Sequence, residues 1–351
     1  MIVMLCTRAR GGMSAVVEAY REAGLFDRRQ VRVLHTHDEG SAIRRLWLAA
    51  HALALFALML LRGEVTLVHA HIAMKGSFWR KSVFVALAQK FGVPVIGHLH
   101  GSTFEQFVAE LPARRRRVVI KRLQSMQRVV VLGEHWRRFV LTIAPGARVE
   151  VLPNSVSLPA GAPIRSTDGV VRLLFLGIVG HRKGIYELLT AMAAVHTRCG
   201  NVRLTVAGNG EIEKARDAAT QLGIASIVEY VGGIDGEAKS RLLQRSDVYV
   251  LPSLKEGLPV SILEAMSWGL PIVSTDVGAI AEAVRDGVDG VIIKPGDTDA
   301  LQAAIIRLVE SPALRERMGQ AARQRVEEHF SQQAVLPKLE QLYDAVQLGG
   351  Q

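Results

Sequence analysis

The stretch VVRLLFLGIVGHRKGIYELLTAMAAVHTRC, residues 170–199, decides the fold of this 351-residue chain. Its first eight residues form a short apolar run that is typical of a buried strand. IVGHRKG has the glycines of a tight loop, and the remainder has the apolar spacing of a helix. Strand, glycine-containing loop and helix in this order open a Rossmann-like domain. The stretch therefore predicts that such a domain begins here.

The same order of elements also opens the chain, as strand IVMLC, loop TRARGG and helix MSAVVEAYREAG. Short apolar runs alternate with helical patterns along the remainder, which predicts parallel sheets covered by helices. The Pro- and Gly-containing residues 157–169 interrupt this pattern and are typical of a linker. We predict an α/β fold with two Rossmann-like domains facing a central cleft, over residues 1–160 and 161–330. Residues 331–351 are predicted to form a helix that packs back on the first domain.

Composition indicates a globular protein of a reducing compartment. Hydrophobic residues make up 49% of the chain and charged residues 22%, which is the balance of a folded protein. Cys6 and Cys199 lie far apart in the sequence and suggest free thiols rather than a disulfide framework. The N-terminus lacks the basic region and the long apolar region of a signal peptide, so we predict a cytoplasmic location.

Positive charge is concentrated in the first half of the chain. Residues 1–160 carry a net charge of +13 and residues 161–351 one of −3, within a total of +10. This asymmetry predicts an anionic partner for the first half, either a membrane surface or a nucleic acid. No nucleic-acid module is apparent and aromatic residues make up only 5%, so a membrane is favoured. The densest cationic segment, a candidate membrane or acceptor patch, contains Arg114, Arg115, Arg116, Arg117, Lys121 and Arg122. A solvated helix face that binds nothing is the alternative.

An apolar helix is predicted between Arg45 and Arg62. The sixteen residues 46–61 are apolar apart from His51, and as a helix they would rise about 24 Å. That is shorter than the roughly 20 residues that span a bilayer, so a transmembrane anchor is not predicted. A buried core helix and a helix lying in the membrane interface both stay open, because different faces of one helix can do both.

Two glutamates, Glu256 and Glu264, lie eight positions apart in EGLPVSILEAMSWGLPIVSTD. Ser261 and Glu264 fit a capping box, in which Ser caps a helix and Glu bonds back to it. That interpretation explains Glu264 as a helix cap and leaves Glu256 as a solvated loop residue.

Arg182 and Lys183 directly precede a predicted helix, where the helix dipole disfavours cations unless an anion is bound. A diphosphate would suit this pair, because Arg can bind two oxygens in a fork and Lys adds a mobile charge. Gly11 and Gly12 would let the backbone approach an anion in the first domain. For Arg182 and Lys183, the alternative is an ordinary exposed basic loop. A dinucleotide fingerprint is poorly supported, because AGNGEIEKA has Glu at the third glycine position.

The second half resembles the nucleotide-sugar-binding domain of glycosyltransferase family 4, the retaining group 1 glycosyltransferases with a GT-B fold. The matching segments are FLGIVGHRKG, LTVAGNGEIE, VEYVGGI, DVYVLPSLKEGLPVSILEAMSWGLPIVSTDVGAIAE and DGVDGVIIKPGD. The most specific feature is the pair Glu256 and Glu264. The first half resembles the family more loosely, through Gly11, Gly12 and GHLHGS, so the resemblance extends over nearly the whole chain.

The resemblance implies roles for individual residues. Arg182 and Lys183 would bind the donor diphosphate, Glu264 the ribose hydroxyls and Glu256 the transferred sugar, and His100 would orient or polarise the reacting sugar. The residues implied in catalysis are His100, Glu256, Arg182 and Lys183. The residues implied in donor binding are Gly11, Gly12, Arg182, Lys183, Tyr230, Val231, Glu256, Gly257, Leu258, Val260 and Glu264.

The resemblance further implies a hexosyltransferase that retains anomeric configuration, uses a UDP- or GDP-sugar and needs no metal or other cofactor. The pairs His35/His37, His69/His71 and His98/His100 raise a metal hypothesis, because alternate strand residues share a face. We nevertheless predict no metal, since strand ends at a cleft collect polar residues. Asp297 and Asp299 resemble the D-x-D of metal-dependent glycosyltransferases, but helix capping is favoured at their position.

The predicted acceptor is a lipid-linked or other glycan at the inner face of the cytoplasmic membrane, as in exopolysaccharide, O-antigen or lipopolysaccharide assembly. The enzyme would then be a peripheral membrane protein. Two alternatives stay open, a nucleotide-sugar epimerase of the same fold and a non-catalytic membrane-associated scaffold. The donor base, the sugar, the linkage and the oligomeric state do not follow from the sequence.

Overall fold

The computed structural model describes residues 1–9, 11–165 and 167–349. Residues 10, 166, 350 and 351, which belong to the predicted first loop, linker and C-terminal helix, lie outside the described residues. The chain forms an N-terminal unit, residues 1–155 with 332–351, and a C-terminal unit, residues 156–331. The sequence pattern had placed the boundaries at 160/161 and 330/331. They differ because Val156 pairs with Ser331 and donates its N–H to the Phe330 carbonyl at 2.9 Å, within the C-terminal unit.

The N-terminal unit is built on a six-stranded sheet in the order β2-β1-β3-β4-β5-β6, in which every pair is parallel. Its apolar strands are buried because helices cover both faces of such a sheet. The strands are β1 Ile2–Cys6, β2 Val31–His35, β3 Leu67–Ile72, β4 Val95–Leu99, β5 Arg128–Val131 and β6 Val149–Val151. The helices between them are α1 Gly12–Glu22, α2 Leu25–Arg29, α3 Ala42–Leu61, α4 Gly76–Lys90, α5 Phe104–Ala109, α6 Ala113–Ser125 and α7 Glu134–Ile143.

Helix α3 is longer than the sequence predicted. It begins at Ala42 because the Ser41 hydroxyl caps it by accepting the N–H of Arg44, and it ends at Leu61, 20 residues later. The argument that the apolar helix is too short to span a bilayer was therefore wrong. Among the described residues, α3 is the one helix long and apolar enough to cross a membrane. Of its most apolar 18-residue segment, 22% is buried in the protein.

The C-terminal unit repeats the plan with a parallel sheet in the order β12-β11-β10-β7-β8-β9. Its strands are β7 Val171–Leu176, β8 Val202–Ala207, β9 Val228–Gly232, β10 Val248–Leu251, β11 Ile272–Thr275 and β12 Gly290–Ile293. Its helices are α8 Ile185–Cys199, α9 Ile212–Gln221, α10 Gly236–Arg245, α11 Val260–Ser267, α12 Ile280–Ala283, α13 Thr298–Glu310 and α14 Pro312–His329. The prediction of two Rossmann-like α/β domains is confirmed.

The last helix, α15 Gln332–Leu348, belongs to the N-terminal unit. Tyr343 is fully buried there, and its hydroxyl lies 2.7 Å from Nδ1 of His69 on β3. Arg29 forms ion pairs with Glu340 at 3.1 Å and Asp344 at 2.6 Å on the same helix. One buried polar contact and a surface ion-pair network therefore hold α15 on this unit.

The strand order fixes where a ligand can bind in each unit. In the C-terminal sheet, β7 lies between β8 and β10, so the connections from these strands leave in opposite directions. In the N-terminal sheet, β1 lies between β2 and β3 in the same way. Open α/β sheets bind ligands at such switch points, outside the carboxyl ends of the strands. The loops after β7 and β10, and those after β1 and β3, are the candidates.

Replacing Tyr343 by Phe is expected to destabilise the protein, because Nδ1 of buried His69 would lose its hydrogen-bond partner. An unsatisfied buried polar group costs about 1–3 kcal/mol. The matched control is Tyr186→Phe, whose exposed hydroxyl bond to Glu211 should contribute little. Urea unfolding followed by far-UV circular dichroism measures both variants. Equal losses of stability would contradict the importance of the buried contact.

Candidate active site

The loop after β7 brings two cations to the C-terminal switch point. Arg182 and Lys183 lie in a 3-10 turn, His181–Lys183, and Gly184 then leads into α8. Gly184 has a φ of 73°, and a Cβ atom there would lie 2.0 Å from the Pro252 carbonyl oxygen. Only glycine lets the loops after β7 and β10 approach this closely. The predicted position of both cations just before a helix is confirmed.

The loop after β10 carries Glu256, which faces these cations. Nζ of Lys183 lies 2.5 Å from Oε1 of Glu256, and Nη1 of Arg182 lies 3.7 Å from the same oxygen. The Ser253 hydroxyl donates a third contact to this oxygen, at 2.8 Å. The Glu256 side chain is only 7% exposed. Glu256 is thus a buried carboxylate held by two cations and a hydroxyl, rather than the solvated loop residue of the alternative interpretation.

The two cations differ in how accessible they are. Lys183 is 13% exposed and directly paired, whereas Arg182 is 41% exposed and donates Nη1 to the Lys255 carbonyl at 3.1 Å. Both precede the N-terminus of α8, where partial positive charge from the helix adds to theirs. A diphosphate could displace part of these contacts and gain charge-assisted hydrogen bonds from both side chains.

Glu264 lies on α11 and pairs with a cation of another helix. Its Oε1 is 2.5 Å from Nζ of Lys239 on α10. Burial raises the pKa of the Glu264 carboxyl, while Lys239 opposes that shift. The capping-box interpretation was wrong, because Pro259 takes the N-cap position and Ser261 falls inside the helix. The Ser261 oxygen accepts the hydroxyl of Tyr249 instead, at 2.8 Å.

Between the two glutamates, the backbone of residues 257–260 lies against the loop after β11. The Gly257 carbonyl accepts the N–H of Ala279 at 2.8 Å. Gly278 makes this approach possible with a φ of 60°, since a Cβ atom there would lie 2.2 Å from the Glu256 carbonyl oxygen. Leu258 is buried. Within the part of the chain that the structure describes, the N–H groups of Gly257 and Val260 donate to no acceptor, so both can receive a ligand.

Tyr230 and Val231 lie on β9, at the edge of the same sheet. The Tyr230 hydroxyl donates to the Ala215 carbonyl at 2.8 Å, and the Arg216 guanidinium lies 4.9 Å from the ring centroid. Burial raises the pKa of Tyr230 to about 12. The hydroxyl is therefore committed to the protein backbone, and a nucleotide base could contact this region through ring or backbone atoms.

In the N-terminal unit, Gly11 and Gly12 begin α1 as predicted, at the switch point beside β1. The Gly11 N–H donates to the Ser14 hydroxyl at 3.0 Å, so this group is already paired. His100 directly follows β4, and its Nε2 lies 2.8 Å from Nδ1 of His71. The site residues of this unit therefore lie at the carboxyl ends of its strands.

Two of the three predicted histidine pairs come together. The ligand atoms of His69, His71 and His98 lie within 4.8 Å of one another, and all three residues are buried. His35 and His37 are not part of this group. The absence of a metal stays a prediction. In the C-terminal unit, Asp297 caps α13 by accepting the N–H of Ala300 at 2.9 Å, so the capping interpretation of the D-x-D is confirmed.

The predicted basic patch on α6 divides into two groups. Arg116 donates to the Ala109 carbonyl at 2.9 Å, and half-buried Arg122 donates to Gln89 at 2.9 Å. These two side chains support the fold. The exposed side chains of the patch that form neither a hydrogen bond nor an ion pair within the described residues are Arg114, Arg115, Arg117 and Lys121.

Sequence reasoning missed Ser253 and Lys239. Ser253 follows β10 at the carboxyl end of the sheet, and that position was the available signal. Lys239 reaches Glu264 across 25 residues of sequence, and no local pattern predicts such a contact. The structure brings Arg182, Lys183 and Glu256 together, while the chemical roles of these residues stay predictions.

Part of the chain matches a known protein family. Residues 163–325 match the family described as "Glycosyl transferases group 1". A glycogen synthase of Mycobacterium tuberculosis is 28% identical over 274 residues, which span 76% of this chain and 66% of that protein. A phosphatidyl-myo-inositol mannosyltransferase of Mycobacterium leprae is 27% identical over 263 residues, which span 73% of this chain and 68% of that protein. The chain thus matches about two thirds of the length of these relatives.

Solved structures share the fold at low identity. Sucrose-phosphate synthase from Thermosynechococcus elongatus has a TM-score of 0.81 at 20% identity, with 98% of each chain covered. The Anabaena protein HepE in complex with UDP has a TM-score of 0.77 at 16% identity, covering 98% of this chain and 99% of that one. The fold of two Rossmann-like domains is therefore that of glycosyltransferases of the GT-B type.

Gly278→Ala is expected to disrupt the Glu256 loop, because the new methyl group would overlap the Glu256 and Gly257 carbonyl oxygens. We expect a loss of several kcal/mol, the size seen for strain in a close-packed position. Gly287→Ala is the matched control, since its φ is 72° but nothing lies within 4 Å of its Cβ position. That variant should lose only the roughly 1–2 kcal/mol of the left-handed backbone. Urea unfolding compares the two, and similar losses would contradict the packing argument.

Proposed function

We propose that this chain, whose residues 163–325 match the group 1 glycosyltransferase family, transfers a hexose from a nucleoside-diphosphate sugar to a lipid-linked glycan. The acceptor would lie at the cytoplasmic face of the membrane. The observation that carries the proposal is the convergence of Lys183 and Arg182 on buried Glu256 at the C-terminal switch point. This arrangement holds two cations and one buried carboxylate where an α/β sheet receives its ligand.

The ion pair of Lys183 with Glu256 suggests how the donor binds. A diphosphate that reaches the loop after β7 attracts the ammonium group of Lys183 and the guanidinium of Arg182. The Glu256 carboxylate then accepts hydrogen bonds from the hydroxyls of the transferred sugar. The free N–H groups of Gly257 and Val260 can donate to the same sugar. HepE, which has the same fold, was solved with UDP, and this supports a UDP- or GDP-sugar as the donor here.

Leaving-group stabilisation can come from the protein itself in this proposal. Charge develops on the departing diphosphate, and preorganised cations in a water-poor site stabilise it. Lys183, Arg182 and the N-terminus of α8 supply that charge. Asp297 is occupied as a helix cap. We therefore propose that activity persists in EDTA. From the resemblance to the retaining group 1 glycosyltransferases, we further propose that the product retains the anomeric configuration of the donor.

The acceptor proposal rests on the exposed face of α3. Ala52, Phe56, Met59 and Leu60 pack into the N-terminal unit, so lipid cannot surround the whole helix while the unit is folded. On the exposed part, Ile43 is 82%, Leu46 73% and Trp47 65% accessible to solvent. Large apolar side chains rarely stand together in water without a partner. The helix therefore suits the membrane interface, with its apolar face in the lipid.

Cations and a groove lie on the same unit. A groove of about 300 Å³ lies between α4, α5 and α6. Its lining includes apolar Trp79, Phe107 and Leu111 and the charged residues Lys75, Glu110 and Arg115. A groove lined by apolar side chains and two cations, beside a single acid, suits a lipid chain that carries a phosphate. The lipid-acting mannosyltransferase among the relatives supports this class of acceptor.

Replacing Lys183 by Met is expected to lower kcat by roughly 10²–10³-fold, because it removes a charge that stabilises the leaving diphosphate. The assay incubates the full chain with UDP- or GDP-hexoses and membrane lipid extract, in EDTA, and follows release of nucleoside diphosphate. NMR of the glycan product gives its anomeric configuration.

Arg198→Met is the control for that experiment. Arg198 forms an exposed ion pair with Glu310 near the opposite end of α8, so its loss should leave the activity unchanged. An isomerised sugar without release of nucleoside diphosphate would instead indicate an epimerase. If none of the donors gives activity, the non-catalytic alternative is favoured.

Trp47→Glu is expected to reduce binding to vesicles that contain phosphatidylglycerol, because an exposed aromatic side chain that would enter the lipid is replaced by a charge that anionic lipid repels. Co-flotation with vesicles at low and high salt measures this, and wild-type binding should weaken at high salt because the cations of α6 contribute. The control is Val288→Glu, an exposed apolar position of the C-terminal unit. Equal flotation of the two variants would rule out α3 as the membrane-binding element.

A further inference from the structure

Four histidines form an array on one face of the N-terminal sheet. His71 and His98 are direct neighbours in the register of β3 and β4, while His69 and His100 extend the array in opposite directions. Two hydrogen-bonded pairs result. Nδ1 of His71 lies 2.8 Å from Nε2 of His100, and Nε2 of His69 lies 3.2 Å from Nδ1 of His98. The donor and acceptor within each pair depend on which ring nitrogen carries the proton.

Ring orientation favours hydrogen bonding over metal binding in this array. The rings of His69 and His98 are nearly parallel, at 6°, and those of His69 and His71 meet at 25°. The lone pairs of an imidazole lie in its plane, so those of stacked rings run side by side rather than toward one central ion. Both nitrogens of His69 already have partners, Tyr343 and His98. The array is therefore a hydrogen-bonded network.

Their environment favours the neutral form of all four rings. Burial lowers the pKa of His69 and His100 to about 3, and it lowers the pKa of His71 and His98 well below the usual value. The ammonium group of nearby Lys81 adds to this effect at His71 and His100. A neutral imidazole carries one proton, so it donates through one nitrogen and accepts through the other.

One unpaired atom decides which nitrogen carries the proton in His71 and in His100. Nε2 of His71 is buried and has no hydrogen-bond partner. A buried N–H without an acceptor is rarer than a buried acceptor without a donor. The proton of His71 therefore lies on Nδ1, from which it is donated to Nε2 of His100. His100 must then carry its own proton on Nδ1.

The Nδ1 atom of His100 is open to a ligand. It has no partner among the described residues, and unlike Nε2 of His71 it is not shut off from solvent. It lies just beyond β4, at the carboxyl edge of the sheet where ligands bind. His100 consequently offers an N–H donor at that edge, with its other nitrogen already occupied.

We infer that His71 is a positioning residue, which fixes His100 as the Nδ1–H tautomer so that His100 donates a hydrogen bond to an oxygen atom of a substrate bound at the carboxyl edge of the N-terminal sheet. The tautomer follows from the array alone, whereas its use toward a substrate rests on the proposed function. His71 acts only through His100 and touches no substrate. The inferred role resembles that of groups that hold a functional imidazole in one tautomer by bonding its second nitrogen.

Long-range ¹H–¹⁵N correlation spectra of the full chain, labelled with ¹⁵N-histidine, test the tautomer directly. The wild-type protein should show His100 protonated at Nδ1 and His71 protonated at Nδ1. An Nε2–H tautomer at His100 would overturn the inference, even if no variant folds. So would stoichiometric zinc in elemental analysis of the purified protein, removed by a chelator together with a change in the four histidine signals.

Two variants test the role of His71. In His71→Asn the amide nitrogen replaces Nδ1 and can still donate to His100, whereas in His71→Gln the amide nitrogen replaces Nε2 and cannot. We expect Asn to preserve the His100 tautomer and most of kcat. Gln should mix the tautomers and lower kcat roughly 10- to 100-fold, as for other partners that orient a functional histidine, with a smaller change in the donor KM.

The role of His71 in setting the tautomer and the role of His100 in the reaction can be contradicted independently. An unchanged His100 tautomer in His71→Gln would overturn the positioning role, whatever the activity. The expected spectra together with no transfer from any donor would retain the tautomer but contradict the proposed function. A tautomer that changes without any loss of kcat would show that this hydrogen bond of His100 does not serve the reaction.

Discussion

Burial of the Glu256 carboxylate is the constraint on which the C-terminal unit depends. A carboxylate removed from water is tolerated only when it is paired and hydrogen-bonded. Lys183, Arg182 and Ser253 meet that requirement, but they come from two loops that lie far apart in sequence. The loops can meet because β7 and β10 are neighbouring strands and because Gly184 has no side chain at the point where the loops approach most closely.

The N-terminal unit meets a similar constraint with uncharged groups. Four imidazoles are packed on one sheet face, and each must find a partner or leave a polar atom unsatisfied. Tyr343 supplies the partner of His69 from the last helix, and the remaining contacts run between neighbouring strands. Parallel strands in register place these rings side by side, so the strand alignment that builds the sheet also orders the histidines toward its ligand-binding edge.

The sequence predicted elements that local patterns control. Strand β1 and helix α8 were predicted to the residue, because apolar spacing and flanking glycines mark their ends. It failed where another element decides the outcome. Ser261 was predicted to cap α11, but Pro259 takes the N-cap position and Ser261 accepts the hydroxyl of Tyr249. Helix α3 is one turn longer than predicted because Ser41 caps it. Within the site, Glu256 and Lys183 were identified through the resemblance and a charge argument. Their ion pair joins residues 73 positions apart in the sequence, and neither segment carries a signal for it.

The membrane proposal has a physical limit that favours reversible binding. Burying a large apolar side chain in lipid contributes about 1.5–3 kcal/mol, and a cation near an anionic surface about 1 kcal/mol. Under the proposal, Ile43, Leu46, Trp47 and the exposed cations of α6 would together suffice for peripheral attachment. They fall far short of a spanning helix, because Phe56 and Met59 hold the other face of α3 in the protein core. Attachment of this strength would let an enzyme reach a lipid-linked acceptor while its donor site stays exposed to the aqueous phase.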